Sequence, residues 1–148
     1  MHKRLWELAR DRAHLDEAVR GFERAFYLRN DHYNGINLAY LLNVRAAETD
    51  DRAEAVADFV EARRTRREVI DICQGVLKDD LSGHDRFWLM ATLAEAQLGV
   101  GDESAAEQTF DEAASLSTKS WMTDSVREQL DKLRKLLAHS PLKYVRGS

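Results

Sequence analysis

Three segments, AVRGFERA at residues 18–25, AVADFVEA at 55–62 and AEQTFDEA at 106–113, share one arrangement of side chains. Each has alanine at both ends and phenylalanine four residues after the first alanine. Steps of four and three residues place these side chains on one stripe of an α-helix. Small residues let a neighbouring helix approach closely, and an aromatic ring fills the remaining space. The recurrence therefore predicts a helical repeat protein, whose units bury their stripes against one another.

The distances between the copies indicate the type of repeat. The second copy begins 37 residues after the first, close to the 34-residue period of tetratricopeptide repeats. The third begins 51 residues after the second, which predicts an insertion of about seventeen residues relative to that period. Apolar residues from Val69 to Leu77 keep helical steps of three and four, so the insertion is expected to continue a helix after Ala62.

The predicted fold is all-α: a tetratricopeptide-like α-α superhelix of about seven antiparallel helices with an extended fourth helix. The helices are expected near residues 2–12, 15–29, 33–48, 52–78, 85–100, 102–116 and 121–138. The fourth is either one long helix or is broken near the arginines at 63–67. Because no Gly-rich or Ser-rich linker occurs, residues 1–138 are expected to form a single domain and residues 139–148 a C-terminal tail.

Composition and motifs restrict the class of function. A net charge of -4 argues against general nucleic-acid binding. No apolar run is long enough to span a membrane, and the lone Cys73 suits a reducing compartment, so a cytoplasmic location is expected. A Gly-rich phosphate loop, a nucleophile elbow and metal-ligand spacing of histidines are all absent from the sequence. We therefore predict no enzymatic activity, no metal and no cofactor.

Residues 33–42, YNGINLAYLL, carry a resemblance to a known family, together with LDEA at 15–18. They resemble the tetratricopeptide-type TRAFs-binding domain in the central regulatory region of apoptosis signal-regulating kinases, which also occurs in bacterial proteins. Phe87-Trp88-Leu89, the Gly101-Asp102 turn and Lys119-Ser120-Trp121 follow the same order. The resemblance extends over residues 15–137. It implies an all-helical regulatory scaffold without chemistry of its own.

A partner-binding groove is predicted on the first helix of each pair, because that helix lines the concave surface of a tetratricopeptide superhelix. The register places five side chains there: Tyr33, Tyr40, Asn43, Trp88 and Glu95. Aromatic rings with polar anchors are typical of peptide sites. The other interpretation is that these rings form core between helices. The predicted function is a non-enzymatic protein–protein interaction scaffold or regulatory module in signalling, with a protein or peptide partner.

An arginine cluster supports the alternative function, an anion-binding or nucleic-acid-binding regulator. It consists of Arg63, Arg64, Arg66 and Arg67. Clustered guanidinium groups recognise phosphates and acidic segments. The simpler interpretation is a solvated face on which Glu61, Glu68 and Asp71 neutralise the arginines.

Self-association is a further hypothesis. The sixth predicted helix has an acidic face that includes Glu103 and Glu107, and the seventh has a basic outer face that includes Arg134. Pairing of these faces between two copies of the chain would form a homo-oligomer.

Overall fold

Six α-helices follow one another in the computed structural model, which describes residues 12–142. They are α1 (Arg12–Arg29), α2 (His32–Glu48), α3 (Arg52–Val76), α4 (Gly83–Gly99), α5 (Glu103–Ala114) and α6 (Ser120–Leu137). No strand occurs between residues 12 and 142, so the fold is all-α. The helix predicted near residues 2–12 lies almost entirely outside the described residues.

Short polar side chains begin three of the helices. The Asp51 carboxylate accepts hydrogen bonds from the backbone N–H groups of Ala53 (2.9 Å) and Glu54 (3.2 Å) at the start of α3. Ser82 accepts from the N–H of Asp85 at α4, and Asp102 accepts from that of Ala105 at α5. These bonds satisfy N–H groups that have no partner within the helix, so they define where each helix begins.

Helix α3 runs without a break through residues 63–67. It comprises 25 residues, and Ala62, Val69 and Cys73 are fully buried along it. Of the two possibilities that the sequence left open, one long helix or a break near the arginines, the structure has one continuous helix.

The helices pack as successive neighbours. Helix α2 packs on α3, α4 packs on α5, and α3 joins the two pairs by packing on α4. Helix α6 contacts both α4 and α2, and α2 also contacts α4. Helices α2, α4 and α6 therefore lie side by side.

Gly35 lets α2 approach its neighbours closely. A Cβ at this position would lie 2.5 Å from Cγ2 of Val69 on α3 and 2.8 Å from Cε1 of Phe26 on α1. Both distances are far below van der Waals contact, so the missing side chain at Gly35 is what lets α2 fit between α1 and α3.

The three Ala-Phe-Ala stripes differ in burial. In the second and third copies, Phe59 and Phe110 and all four alanines are buried. In the first copy Ala18, Phe22 and Ala25 are only partly buried, because α1 packs mainly against α2. The repeat pattern therefore identifies stripes that face neighbouring helices, but it does not measure how deeply each is covered.

An ion-pair network ties α1, α2 and α3 together. The Arg45 guanidinium binds both carboxylate oxygens of Asp58 (2.8 and 3.0 Å) and one oxygen of Asp16 (3.1 Å). The hydrogen bonds that Arg45 donates to these carboxylates, above all to Asp58, raise its pKa against the opposing effect of burial. The two-pronged contact with Asp58 fixes both distance and orientation between α2 and α3.

The chain after α6 returns to the domain. Pro141 is buried, and Leu142 packs against the cluster formed by Ala46, Ala55 and Phe59. The rest of the predicted tail, residues 143–148, lies outside the described residues.

Candidate functional site

A cavity of about 380 Å³ lies where α2, α4 and α6 meet. Each helix contributes one stripe with helical spacing, so the cavity follows directly from the side-by-side arrangement of these helices. The lining residues are His32, Tyr33, Ile36 and Asn37 from α2; Trp88, Ala91, Thr92 and Glu95 from α4; and Trp121, Ser125, Val126 and Gln129 from α6. We call this cavity the groove.

Three aromatic side chains form the rim of the groove. Trp121 is 58% exposed and Tyr33 is 43% exposed, whereas Trp88 is partly buried. The rings of Trp88 and Trp121 lie 6.3 Å apart between centroids, and Phe87 packs edge-on against Trp88 at 4.9 Å. Large aromatic rings at the rim of a cavity are the usual anchors of a binding surface.

Glu95 and Gln129 form the polar floor of the groove. Both are buried, and the Gln129 side chain favours the ionised form of the Glu95 carboxyl. Burial raises the pKa of Glu95 to about 7, although the charge of Arg66 and the hydrogen bond from Gln129 act in the opposite direction. The groove therefore contains a carboxyl group that changes its charge near neutral pH.

Arg66 lies behind this floor, on α3. Its side chain is 1% exposed, and Nη1 donates a hydrogen bond to Oδ1 of Asn43, while Nε and Nη2 have no hydrogen-bond partner within residues 12–142. Gly99 on α4 provides the space, because a Cβ there would overlap the Arg66 side chain. Burial lowers the pKa of Arg66 to about 10, opposed by the charges of Glu95 and Tyr40. Arg66 therefore acts on Glu95 through its charge, without forming a direct ion pair.

The predicted groove residues divide into two sets. Tyr33, Trp88 and Glu95 line the groove. Tyr40 and Asn43 lie two and three helical turns beyond Tyr33, where α2 is covered by neighbouring helices, and each is only 3% exposed. Burial raises the pKa of Tyr40 to about 12, with the charge of Glu95 adding to the effect. We therefore correct the predicted groove by placing Tyr40 and Asn43 in the interior.

The arginine cluster does not form one surface. Arg64 and Arg67 are exposed and Arg63 is partly buried, but Arg66 points into the interior. Successive residues of a helix lie about 100° apart, so these four arginines spread over roughly 160° of the helix circumference, and Arg66 lies at the end of that arc that faces the interior. This corrects the expectation of a four-arginine anion site.

The faces assigned to self-association are joined within one chain. Arg134 of α6 forms hydrogen bonds with Glu103 (2.9 Å) and Glu107 (2.5 Å) of α5 and with Asp131 of its own helix. Arg127 lies over the Phe110 ring at 4.6 Å. These contacts use the acidic and basic faces that the sequence hypothesis assigned to a second copy.

Sequence reasoning missed the contribution of α6, because a last helix with a basic outer face is typical of a terminal cap. The sequence did contain a pattern that indicates Trp121. Tyr33 and Trp121 are each the second residue of their helix. Four residues later, Tyr33 is followed by Asn37 and Trp121 by Ser125, and both of these polar residues line the groove. That shared spacing would have added Trp121 to the predicted site.

Residues 1–42 match the profile of the family described as Tetratricopeptide Repeats-Sensor. This chain is similar to a tetratricopeptide-type domain. The match covers α1 and most of α2 among the described residues, including the α2 side of the groove. No curated protein and no solved structure matches the chain.

The tetratricopeptide-type fold is typically a non-enzymatic interaction module. Cys73 is buried, and burial raises the pKa of its thiol to about 12, so the thiolate nucleophile does not form at neutral pH. Between residues 12 and 142, no three His, Cys, Asp or Glu side chains lie close enough together to hold a metal ion. None of the six helices is both long and apolar enough to cross a membrane.

The raised pKa of Glu95 predicts a pH-dependent stability. Folding favours the protonated carboxyl, so its contribution is fully present below the ordinary glutamate pKa of 4.5 and is lost as pH rises through about 7. We expect the free energy of unfolding of the wild type, relative to Glu95→Gln, to fall by up to about 3 kcal/mol between pH 4.5 and pH 8. Urea denaturation of both proteins across this range measures the difference. Glu112→Gln removes the same charge at an exposed position on α5 and is the control. If the free energy of unfolding changed equally with pH in the wild type and in both variants, the prediction would be contradicted.

Proposed function

We propose that this chain is a non-enzymatic interaction module that docks a protein or peptide partner in the groove between α2, α4 and α6. The observation that carries the proposal is the convergence of one side-chain stripe from each of three helices on a cavity with aromatic rings at its rim. Interior packing alone does not account for Trp121, because more than half of its surface is exposed.

A role in signalling or regulation is part of the proposal. It is supported by the resemblance of residues 15–137 to the TRAFs-binding domain of apoptosis signal-regulating kinases, and by the similarity of residues 1–42 to a family described as a sensor. The lone, buried Cys73 is compatible with a reducing compartment, and we propose the cytoplasm as the location.

Selection of displayed random peptides on the full chain tests the proposal. We expect selected peptides to bind Trp121→Ser at least about tenfold more weakly than the wild type, because loss of a central aromatic anchor removes more than 1.4 kcal/mol. Tyr27→Ser is the matched control, since Tyr27 is 86% exposed on α1 and does not line the groove. Affinity is measured by isothermal titration calorimetry, and thermal unfolding verifies that each variant is folded.

Two outcomes would contradict docking in the groove. One is that no peptide is selected at all. The other is that selected peptides keep their affinity for a Tyr33→Ser, Trp121→Ser double variant.

A further inference from the structure

We infer that the groove is selective for a basic side chain, so that the docked partner inserts a lysine or arginine between the aromatic rim and the Glu95 carboxylate. This inference rests on the proposed function, since it names the chemistry of the segment that the groove receives. Three independent features carry it: the hydrogen-bonding capacity of the floor, the charges around the groove, and the distance from rim to floor.

The floor offers hydrogen-bond acceptors, because two of its donors are used within the protein. Nδ2 of Asn37 donates to the backbone carbonyl of Tyr33 (2.9 Å), and the Thr92 hydroxyl donates to that of Trp88 (3.1 Å). The Gln129 side chain favours the ionised form of Glu95. A carboxylate accepts about four hydrogen bonds, and Glu95 lines the groove, so its oxygens are acceptors for a ligand there. A ligand that brings donors matches this floor.

The charges around the groove favour a cation. Glu95 is the one carboxylate among the twelve lining residues, and no Lys or Arg is among them. His32 also lines the groove, and burial lowers its pKa despite the nearby charge of Asp31, so it is neutral at pH 7. Arg66 lies on α3 outside the lining. A ligand anion would meet the Glu95 charge at short range without a lining cation to stabilise it.

The rim and the floor require a long side chain with an apolar stem. Trp88 and Glu95 are seven residues apart on α4, so their backbone positions lie about two helical turns, roughly 10 Å, apart along the helix axis. Lysine and arginine carry a charged group on an aliphatic stem that packs along apolar surface. The faces of Trp88, Trp121 and Tyr33 also attract cations as they enter. A short ammonium ion would lack the contact with the rim, and a neutral apolar chain would add no charge contact to the Glu95 carboxylate.

Small probes test the charge preference directly. Nα-acetyl-lysine methylamide and its neutral counterpart, Nα-acetyl-norleucine methylamide, are titrated into the full chain while the indole N–H signals of Trp88 and Trp121 are followed by NMR. We expect the lysine probe to bind the wild type at least about tenfold more tightly than the norleucine probe, since a desolvated charge contact adds more than 1.4 kcal/mol. In Glu95→Gln the preference should fall below about threefold, and in Glu112→Gln it should be unchanged.

A pH series separates a binding role of Glu95 from a structural one. The cation binds the ionised carboxylate, so the affinity of the wild type for the lysine probe should rise about tenfold from pH 6 to pH 8, given a pKa of about 7 for Glu95. The groups facing Glu95 are Arg66 from α3, Tyr40 and His32 from α2, and Gln129 from α6. Among these groups, only the His32 imidazole has an ordinary pKa between pH 6 and pH 8. Any pH dependence of lysine-probe affinity that persists in Glu95→Gln therefore measures the contribution of His32. A merely structural Glu95 would change stability with pH but not the ratio of lysine to norleucine affinity.

The outcomes distinguish the inference from the proposed function. Equal binding of both probes, or tighter binding of Nα-acetyl-glutamate methylamide, overturns the inference. Selected peptides that need Trp121 but carry no lysine or arginine also overturn it, while docking in the groove still holds. Failure to select any peptide overturns the docking function and with it the partner side chain proposed here. If replacing one lysine by norleucine weakens a selected peptide at least about tenfold, the result supports both docking in the groove and the preference for a basic side chain.

Discussion

Replacing Arg66 with alanine is expected to lower the free energy of unfolding by about 2–5 kcal/mol, the range for truncating a long buried side chain to alanine. Arg66 is almost completely buried, and its charge is the one that favours ionisation of Glu95. The substitution removes that charge, leaves Oδ1 of Asn43 without its donor, and opens a cavity beside Gly99. Urea denaturation at pH 8, where Glu95 is ionised, measures the loss.

Arg64→Ala is the matched control for Arg66→Ala. Arg64 lies two residues earlier on the same helix and is exposed, so its replacement should change stability by less than about 0.5 kcal/mol. Arg66→Met should cost less than Arg66→Ala, because methionine refills part of the volume. Equal stability of Arg66→Ala and Arg64→Ala would show that Arg66 is not part of the interior.

Phe110→Ala is expected to destabilise the protein by about 3–5 kcal/mol, the usual cost of truncating a buried aromatic ring. Phe110 is 2% exposed and lies in the cluster of α4, α5 and α6 that includes Ala106, Ala113 and Leu130. Phe22 occupies the equivalent position of the first Ala-Phe-Ala copy but is only partly buried. Phe22→Ala should therefore cost less than half as much.

Thermal and urea denaturation of both phenylalanine variants test this ordering. The sequence pattern by itself predicts equal losses, because the two copies have the same spacing. Equal measured losses would contradict the difference in burial, and a loss below about 0.5 kcal/mol for Phe110→Ala would contradict the repeat register.

The helical architecture was predictable from the sequence because it depends on local spacing. The Ala-Phe-Ala steps, the acidic cap at Asp51 and the Gly101-Asp102 turn all act within one or two helical turns, and helices α3 and α5 begin at these caps. Trp88 and Glu95 were also assigned to the groove by their register on one helix.

The errors at the site arise from contacts between helices. Tyr40 has the same helical register as Tyr33, but neighbouring helices cover it. Trp121 is distant from Tyr33 in the sequence, and it became part of the groove only because α6 packs against both α2 and α4. The register along one helix predicts the direction in which a side chain faces. It does not predict which neighbouring helices bury that side chain.

The sequence by itself determined an all-α repeat, the approximate positions of its helices, and the pattern of small and aromatic residues that their packing requires. Only the tertiary structure decided which polar residues are buried together: Arg66 turned away from its neighbouring arginines toward Asn43, and Glu95 was placed at the floor of the groove. The physical reason is that helical periodicity is local, whereas burial of a charge depends on all the helices that surround it. The charge state of Glu95 is consequently a property of four packed helices, α2, α3, α4 and α6, and not of the stretch of sequence that contains it.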